Sequence, residues 1–315
     1  MRLTLLGTGS PVPDPARHGP SQIIEAGDDL LLVDCGGGAV QRLVAAGYVA
    51  PGHLVHGALP LRRIALTHLH SDHISGLVDL LWSGWIFQWW EAPPLVVGPP
   101  GTAQFLERLV AAFEYDIRVR SRPGRGRESL VPRVEEIEED WRDTGDGWRL
   151  TAFRVEHQPV DQAFGFRLDD DTGSLVLSGD TRECANVIRH AAGADLLVHE
   201  VYSRRGLEAQ LAGVRDPQAR ARLARIVSFH TPSNRVGAVA TQAQVKQVVL
   251  THLIFGAGGA PEDIAQDVGT AFAGPVTVGS DLQSFAVGRP AAATSTGTPG
   301  PTAGAGGSRA TQPAQ

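Results

Sequence analysis

Ile64-Ala65-Leu66-Thr67-His68-Leu69-His70-Ser71-Asp72-His73-Ile74-Ser75-Gly76 is the stretch that decides the reading of this chain. An apolar β-type run, Ile64 to Leu66, delivers three histidines and an aspartate into a short loop, and a helix-compatible apolar segment resumes at Ile74. Side chains alternate along a strand, so His68 and His70 leave its end on one side, and Asp72 and His73 converge on them from the turn. Neutral imidazoles and a carboxylate are the donors zinc prefers; imidazole also accepts other first-row metals, so manganese and iron stay open at this point. A lone histidine in such a place is usually a packing residue. Three His and one Asp within six residues, behind an apolar strand, point instead to a metal site.

The pattern His-x-His-x-Asp-His resembles the signature of the metallo-β-lactamase superfamily, and the similarity extends from about Met1 to Gly288. The resemblance implies an α/β fold, a four-layer αβ/βα sandwich of two mixed β-sheets flanked by helices, with a dinuclear metal site at one sheet edge. Its later ligand positions match an isolated His157, then Gly179-Asp180-Thr181, then Thr251-His252. Carried over, His68, His70 and His157 hold one metal, Asp72, His73 and His252 hold a second, and Asp180 bridges them, giving two Zn2+ per chain. Position 70 is His and not Glu, which resembles the zinc hydrolases more than the di-iron, oxygen-reducing branch. Two such metals can activate water at neutral pH and neutralise charge on a substrate oxygen, with Asp72 orienting the nucleophile.

A proton donor for the leaving group is still needed. Phe229-His230-Thr231-Pro232 is similar to the His-Ser/Thr element of the ribonuclease Z-like branch, and Glu200 fits the acidic partner of that histidine. A carboxylate beside an imidazole fixes its tautomer and raises its basicity, which suits a general acid near neutral pH. The lactonase, glyoxalase II and β-lactamase branches lack this pair, so Glu200 and His230 select the branch. Asp34 stands where the superfamily carries a structural aspartate at a strand end. The Gly36-Gly37-Gly38 run after it lacks the acidic residue that ribonuclease Z usually has there.

Outward from these motifs the chain reads as one domain over 1–288, followed by an Ala/Gly/Pro/Thr-rich tail over 289–315 with no core-forming residues, expected to be disordered. At 315 residues and 42% hydrophobic, the chain can bury a large core. No run is apolar and long enough to span a membrane, and the N-terminal apolar part is too short for a signal segment, so a cytoplasmic location is expected. Cys35 and Cys184 are the only cysteines, which implies no disulfide framework. Leu3–Leu6, Ile23–Ala26 and Leu30–Val33 read as strands, Ala39–Ala46 as a helix closed by Gly47, and Thr231 as the N-cap of a helix with Pro232 at its first position. Asp195–Val198 reads as a strand ending at His199-Glu200, and Gln247–Leu250 as one ending in Thr251-His252.

Three features bear on substrate. Trp82, Trp85, Trp89 and Trp90 form an aromatic run that packs a core and an oligomer contact or walls the metal site, and a homodimer is expected. Arg118–Arg127 carries five arginines beside the acidic Glu135–Asp140, the pattern of a solvated insertion or of a phosphate-binding arm. Between the third-ligand strand and the Gly-Asp-Thr strand, Asp169–Gly173 leaves no room for the long tRNA-gripping arm of bacterial ribonuclease Z. With the net charge of −6, these traits favour a small-molecule phosphodiester or sulfate ester, as in phosphodiesterase- and arylsulfatase-like members. RNA as a partner is the less favoured alternative, through a tRNA 3′ endonuclease; a lactonase-like hydrolase and a non-catalytic scaffold are the others.

Overall fold

The computed structural model describes residues 1–49 and 59–288; the tail expected over 289–315 lies outside them. Strands β1 (Arg2–Gly7), β2 (Ser21–Ala26), β3 (Asp29–Val33), β4 (Leu61–Ala65), β5 (Leu95–Gly98) and β6 (Val134–Glu136) form one sheet in sequence order. The second sheet runs β7 (Arg142–Thr144), β8 (Trp148–Arg154), β9 (Phe164–Asp170), β10 (Ser174–Leu177), β11 (Leu196–Tyr202), β12 (Val248–Ile254) and β13 (Val276–Val278). Strand β14 (Ser284–Ala286) returns to pair with β1. Each sheet is antiparallel at one side and parallel at the other, with β3–β6 and β10–β13 the parallel halves.

Period-two alternation explains why the sheets stack. Along β3, Leu31 and Val33 face the core between the sheets, while Leu30 and Leu32 face outward into a helix-covered core. Along β10 the pattern repeats, with Leu175 and Leu177 inside and Val176 outside. Helices α1 (Ala39–Ala45), α2 (Ser71–Ile74), α3 (Leu77–Phe87), α4 (Thr102–Ala112) and α5 (Glu114–Arg120) follow strands of the first sheet. Helices α6 (Ala185–His190), α7 (Arg204–Gly213), α8 (Pro217–Phe229), α9 (Ser233–Ala243) and α10 (Pro261–Gly269) belong to the second. Helix, sheet, sheet, helix is the four-layer sandwich. Truncating a leucine of the central layer, such as Leu31, to alanine would cost about 2–5 kcal/mol, a large share of a domain's net stability.

The four tryptophans settle into the outer core of the first sheet. Trp82, Trp85, Trp89 and Trp90 are all buried with Leu77, Leu80, Leu81 and Leu106, so packing rather than a substrate wall accounts for them. Among the described residues no helix is long and apolar enough to cross a membrane.

Three local expectations change. Strands β11 and β12 run on past Glu200 and His252, to Tyr202 and Ile254, instead of ending at them. Part of Arg118–Arg127 is helical, because Glu114–Arg120 forms α5. Thr231 does not cap α9: that helix starts at Ser233, and the Thr231 hydroxyl donates to the Thr181 carbonyl at 2.7 Å instead.

Candidate metal centre

The parallel strands β4, β10, β11 and β12 all end at the same edge of the sandwich, where an open α/β sheet places ligands. From there the loop after β4 brings His68, His70, Asp72 and His73, the turn after β10 brings Asp180, and the loop after β8 brings His157. His252 arrives differently. In the β11–β12 pairing Glu200 faces Thr251 and Val201 faces Leu253, so His252 is an extra residue, with φ at 45°. Such a bulge kinks the strand and re-aims the side chain, which here turns inward.

Asp180 sits at the centre. Its Oδ2 lies 3.1 Å from His252 Nε2 and 3.3 Å from His73 Nε2. The same oxygen is 3.8 Å from His157 Nε2 and 3.9 Å from His68 Nε2. Burial alone would raise the Asp180 carboxyl, but His252 and His73 hold it well below the usual carboxylate range. Two donor triads lie around it, His68–His70–His157 and Asp72–His73–His252, each with ligand atoms within 4.8 Å of one another. The structure therefore brings together every ligand position named from the sequence.

Three of the imidazoles, those of His68, His73 and His157, are held in the tautomer a metal requires. His73 Nδ1 donates to Asp34 Oδ2 at 2.8 Å, and His157 Nδ1 donates to the Phe229 carbonyl at 3.1 Å. His68 Nδ1 is 3.0 Å from the Thr67 hydroxyl, which itself donates to Asp34. In each ring the outer nitrogen is engaged and Nε2 is turned inward as a lone-pair donor. Among the described residues, His68 Nε2 and His73 Nε2 are buried with no hydrogen-bond partner. Buried, unpartnered acceptors converging on one carboxylate are what a cation would satisfy, so the donor set fits metal ions.

Glycine makes the floor of the loop. A Cβ on Gly36 would stand 2.4 Å from the Asp72 carbonyl, so only glycine lets that backbone pass beneath the metal loop. The acidic residue absent from this glycine run could not occupy that position. Gly179, at φ 60°, turns the chain so that Asp180 points inward, and a Cβ there would meet the Phe164 carbonyl at 2.5 Å.

His230 and Glu200 lie beside the triads. The His230 ring stacks on His252 at 5.3 Å, and its Nδ1 is 3.2 Å from Glu200 Oε1. That approach is off the hydrogen-bonding axis, and Nδ1 has no well-directed partner. Glu200 Oε1 instead accepts the backbone N–H groups of Thr181, at 3.2 Å, and Thr231, at 2.9 Å. Glu200 thus ties the residue after Asp180 to the residue after His230. Burial, the largest single influence, lowers the His230 pKa, but the charge and close approach of Glu200 together with the charge of Asp180 raise the imidazole to about 9. Thr67, Thr181 and the Phe229 carbonyl are supporting groups to which sequence reading gave no role, and Thr231 is one to which it gave a different role. Only their adjacency to ligand positions marks them in the sequence.

Comparison with known proteins bears on the same residues. A family model described as Beta-lactamase superfamily domain matches residues 30–253. The Ribonuclease Z of Mycobacterium bovis (strain BCG / Pasteur 1173P2) is 38% identical over 295 residues, covering 91% of this chain and 98% of the relative. The Ribonuclease Z of Mycobacterium marinum (strain ATCC BAA-535 / M) is 37% identical over 291 residues, covering 91% and 99%. Among solved structures, human tRNase Z, short form, has a TM-score of 0.64 at 20% identity and covers 91% of this chain and 99% of its own. The metallo-beta-lactamase fold protein YhfI from Bacillus subtilis gives 0.66 at 19% identity, covering 90% and 98%. At those identities the two structures share the fold.

Proposed function

Because the chain belongs to the metallo-β-lactamase superfamily, in its ribonuclease Z-like branch, we propose that it is a dinuclear-zinc hydrolase that cleaves a phosphodiester of RNA, as a ribonuclease Z-type endonuclease. The observation that carries this reading is 38% identity to a protein named Ribonuclease Z across 91% of the chain.

This reverses the order in which the sequence ranks its substrates. The β9–β10 connection is indeed short, from Asp170 to Ser174. Yet the mycobacterial relative is covered over 98% of its length by the same alignment, which leaves no space for a long arm present there and absent here. A missing arm therefore does not separate this chain from proteins of that name. The tryptophan run, the other ground for a small aryl ester, is core. A small phosphodiester remains the second reading, favoured by a cleft of about 440 Å³ beside Asp72, a volume on the scale of a small-molecule ligand.

His68, His70 and His157 would hold one zinc and Asp72, His73 and His252 the other, with Asp180 between them. When bound, zinc supplies Lewis-acid chemistry, lowering the pKa of water and neutralising charge on phosphate oxygens. The protein's own groups do the rest. Asp72, at the cleft wall, orients the attacking water. Asp34, through His73, and the Phe229 carbonyl, through His157, keep the ligand rings from turning. His230, raised to about 9 by Glu200, is protonated at neutral pH. It hands that proton to the ribose oxygen as the P–O bond breaks, and Glu200 stabilises the cation until then.

The test is a panel of zinc-loaded protein on precursor tRNA, a bis-aryl phosphodiester, an aryl sulfate and an aryl lactone. Precursor tRNA should be cut with the highest kcat/KM. Inert tRNA with brisk turnover of an aryl ester would overturn the reading. In parallel, Asp180→Ala should lose most of its zinc and its activity; full zinc retention would remove Asp180 from its bridging place.

A further inference from the structure

We propose that the α7–α8 hairpin is the surface that grips the RNA backbone, through Arg222 and Arg225 on one stripe of α8; this rests on the RNA-cleaving reading above. The stripe is read from helix geometry. At 100° per residue, positions 218, 222, 225 and 229 of α8 share a face, while Leu223, Ile226 and Val227 turn inward. The inward residues pack in a small cluster with Tyr202, Leu207, Leu211 and Ile254, separate from the three main cores. The hairpin therefore stands on its own foot at the site edge.

The stripe leads to the chemistry. Phe229 ends it, with its ring 5.1 Å from that of His157, and His230 is the next residue. With a rise of 1.5 Å per residue, Arg225 lies about 6 Å and Arg222 about 10 Å along the axis from Phe229, the reach of one or two nucleotides from the scissile phosphate.

The charge on this hairpin is also free. Residues 204–229 carry six arginines against Glu208 and Asp216, in a chain whose net charge is −6. Arg204 pairs with Glu208 and Arg205 with Asp263, Asp216 caps α8, and Arg220 donates to the Leu211 carbonyl. Among the described residues, Arg222 and Arg225 are exposed and enter no salt bridge. Two unpaired guanidiniums beside a phosphodiester-cleaving site complement a polyanion, since phosphate contacts by Arg supply most of the sequence-independent affinity for nucleic acid.

The experiment compares zinc-loaded intact protein with R222E/R225E, R222Q/R225Q and R118Q/R122Q on precursor tRNA, by cleavage kinetics and by binding across a salt series. R222E/R225E should raise KM by about tenfold or more with kcat little changed, and should flatten the salt dependence by about 1.4 in log–log slope, two contacts on a single strand. R222Q/R225Q should move both in the same direction by less, and it covers the case in which charge reversal unfolds the hairpin, as judged by circular dichroism and zinc content. R118Q/R122Q should keep the intact slope. Intact KM and slope in both Arg222/Arg225 variants, or a loss in R118Q/R122Q alone, overturns the proposal while leaving RNA cleavage standing. An intact protein that neither binds nor cuts RNA brings down both.

Discussion

Two arginine-rich regions of the molecule differ in what their charges already touch. Arg118–Arg127 is the denser in sequence, yet its cations are largely spoken for. Arg120 pairs with Asp116 at 2.8 Å and Arg127 with Glu114 at 3.0 Å. Arg118 lies over Tyr115 and Arg125 over Trp85, at 5.5 and 5.4 Å. Arg222 and Arg225 of α8 are spread more thinly but share a helical stripe that ends at Phe229 and His230, and among the described residues they have no carboxylate partner. Density of like charge along a chain is a poor guide to free charge in space: an acidic residue thirteen positions away, as Glu114 is from Arg127, cancels it.

The sharpest way to break the comparison is at the end of α8. His230→Ala should keep the metals and the fold and slow cleavage of an RNA or alkyl phosphodiester by about 10²–10⁴-fold, the range for lost general acid catalysis. The loss should shrink for a nitrophenolate leaving group, which departs without a proton. His230 also lies within 4.8 Å of His157 and Asp180 donor atoms. Zinc loss in this variant, measured by metal analysis, would make it a ligand instead of an acid.

On the other side, Trp85 is the 2%-exposed pillar beneath Arg125. Trp85→Ala should cost about 3–5 kcal/mol of stability in denaturant unfolding. At a temperature where it remains folded it should cleave RNA nearly as the intact protein does. A collapse of kcat without loss of stability would return the tryptophan region to the active site.

A smaller effect is expected at Glu200. Glu200→Gln keeps an oxygen for the Thr181 and Thr231 N–H groups but removes the charge facing His230. Activity should fall about 10–100-fold, as for other groups that orient a catalytic or ligating residue. It should show the same leaving-group trend as His230→Ala. Equal losses on good and poor leaving groups would mean that Glu200 only holds the two loops together.

Much of this was legible without coordinates, because the signals are local. The apolar run Leu30–Val33 marked β3 as a strand, and the resemblance carried by the motifs named seven candidate metal-site residues that the fold then gathered. The supporting groups were not legible. Nothing in the spacing tells that Asp34 will meet His73, that the Phe229 carbonyl will meet His157, or that Glu200 will bind two backbone amides rather than serve only its histidine. The N-cap reading of Thr231 failed for the same reason: a hydroxyl that would cap a helix was claimed by a carbonyl 50 residues earlier in the chain.

By itself, then, the sequence pointed to the sandwich through the family its motifs resemble, and it named the donor residues and the candidate acid, since a motif and the donor types in it are properties of short segments. Tertiary structure alone decided the rest. The register of β11 against β12 makes His252 a bulge and sets it 3.3 Å from Asp72, 180 residues away in the chain. The same packing buries the tryptophans, pairs Arg120 and Arg127 with carboxylates and, among the described residues, leaves Arg222 and Arg225 without a salt bridge. Each of those outcomes depends on which distant segment comes to lie alongside, and no local pattern encodes that.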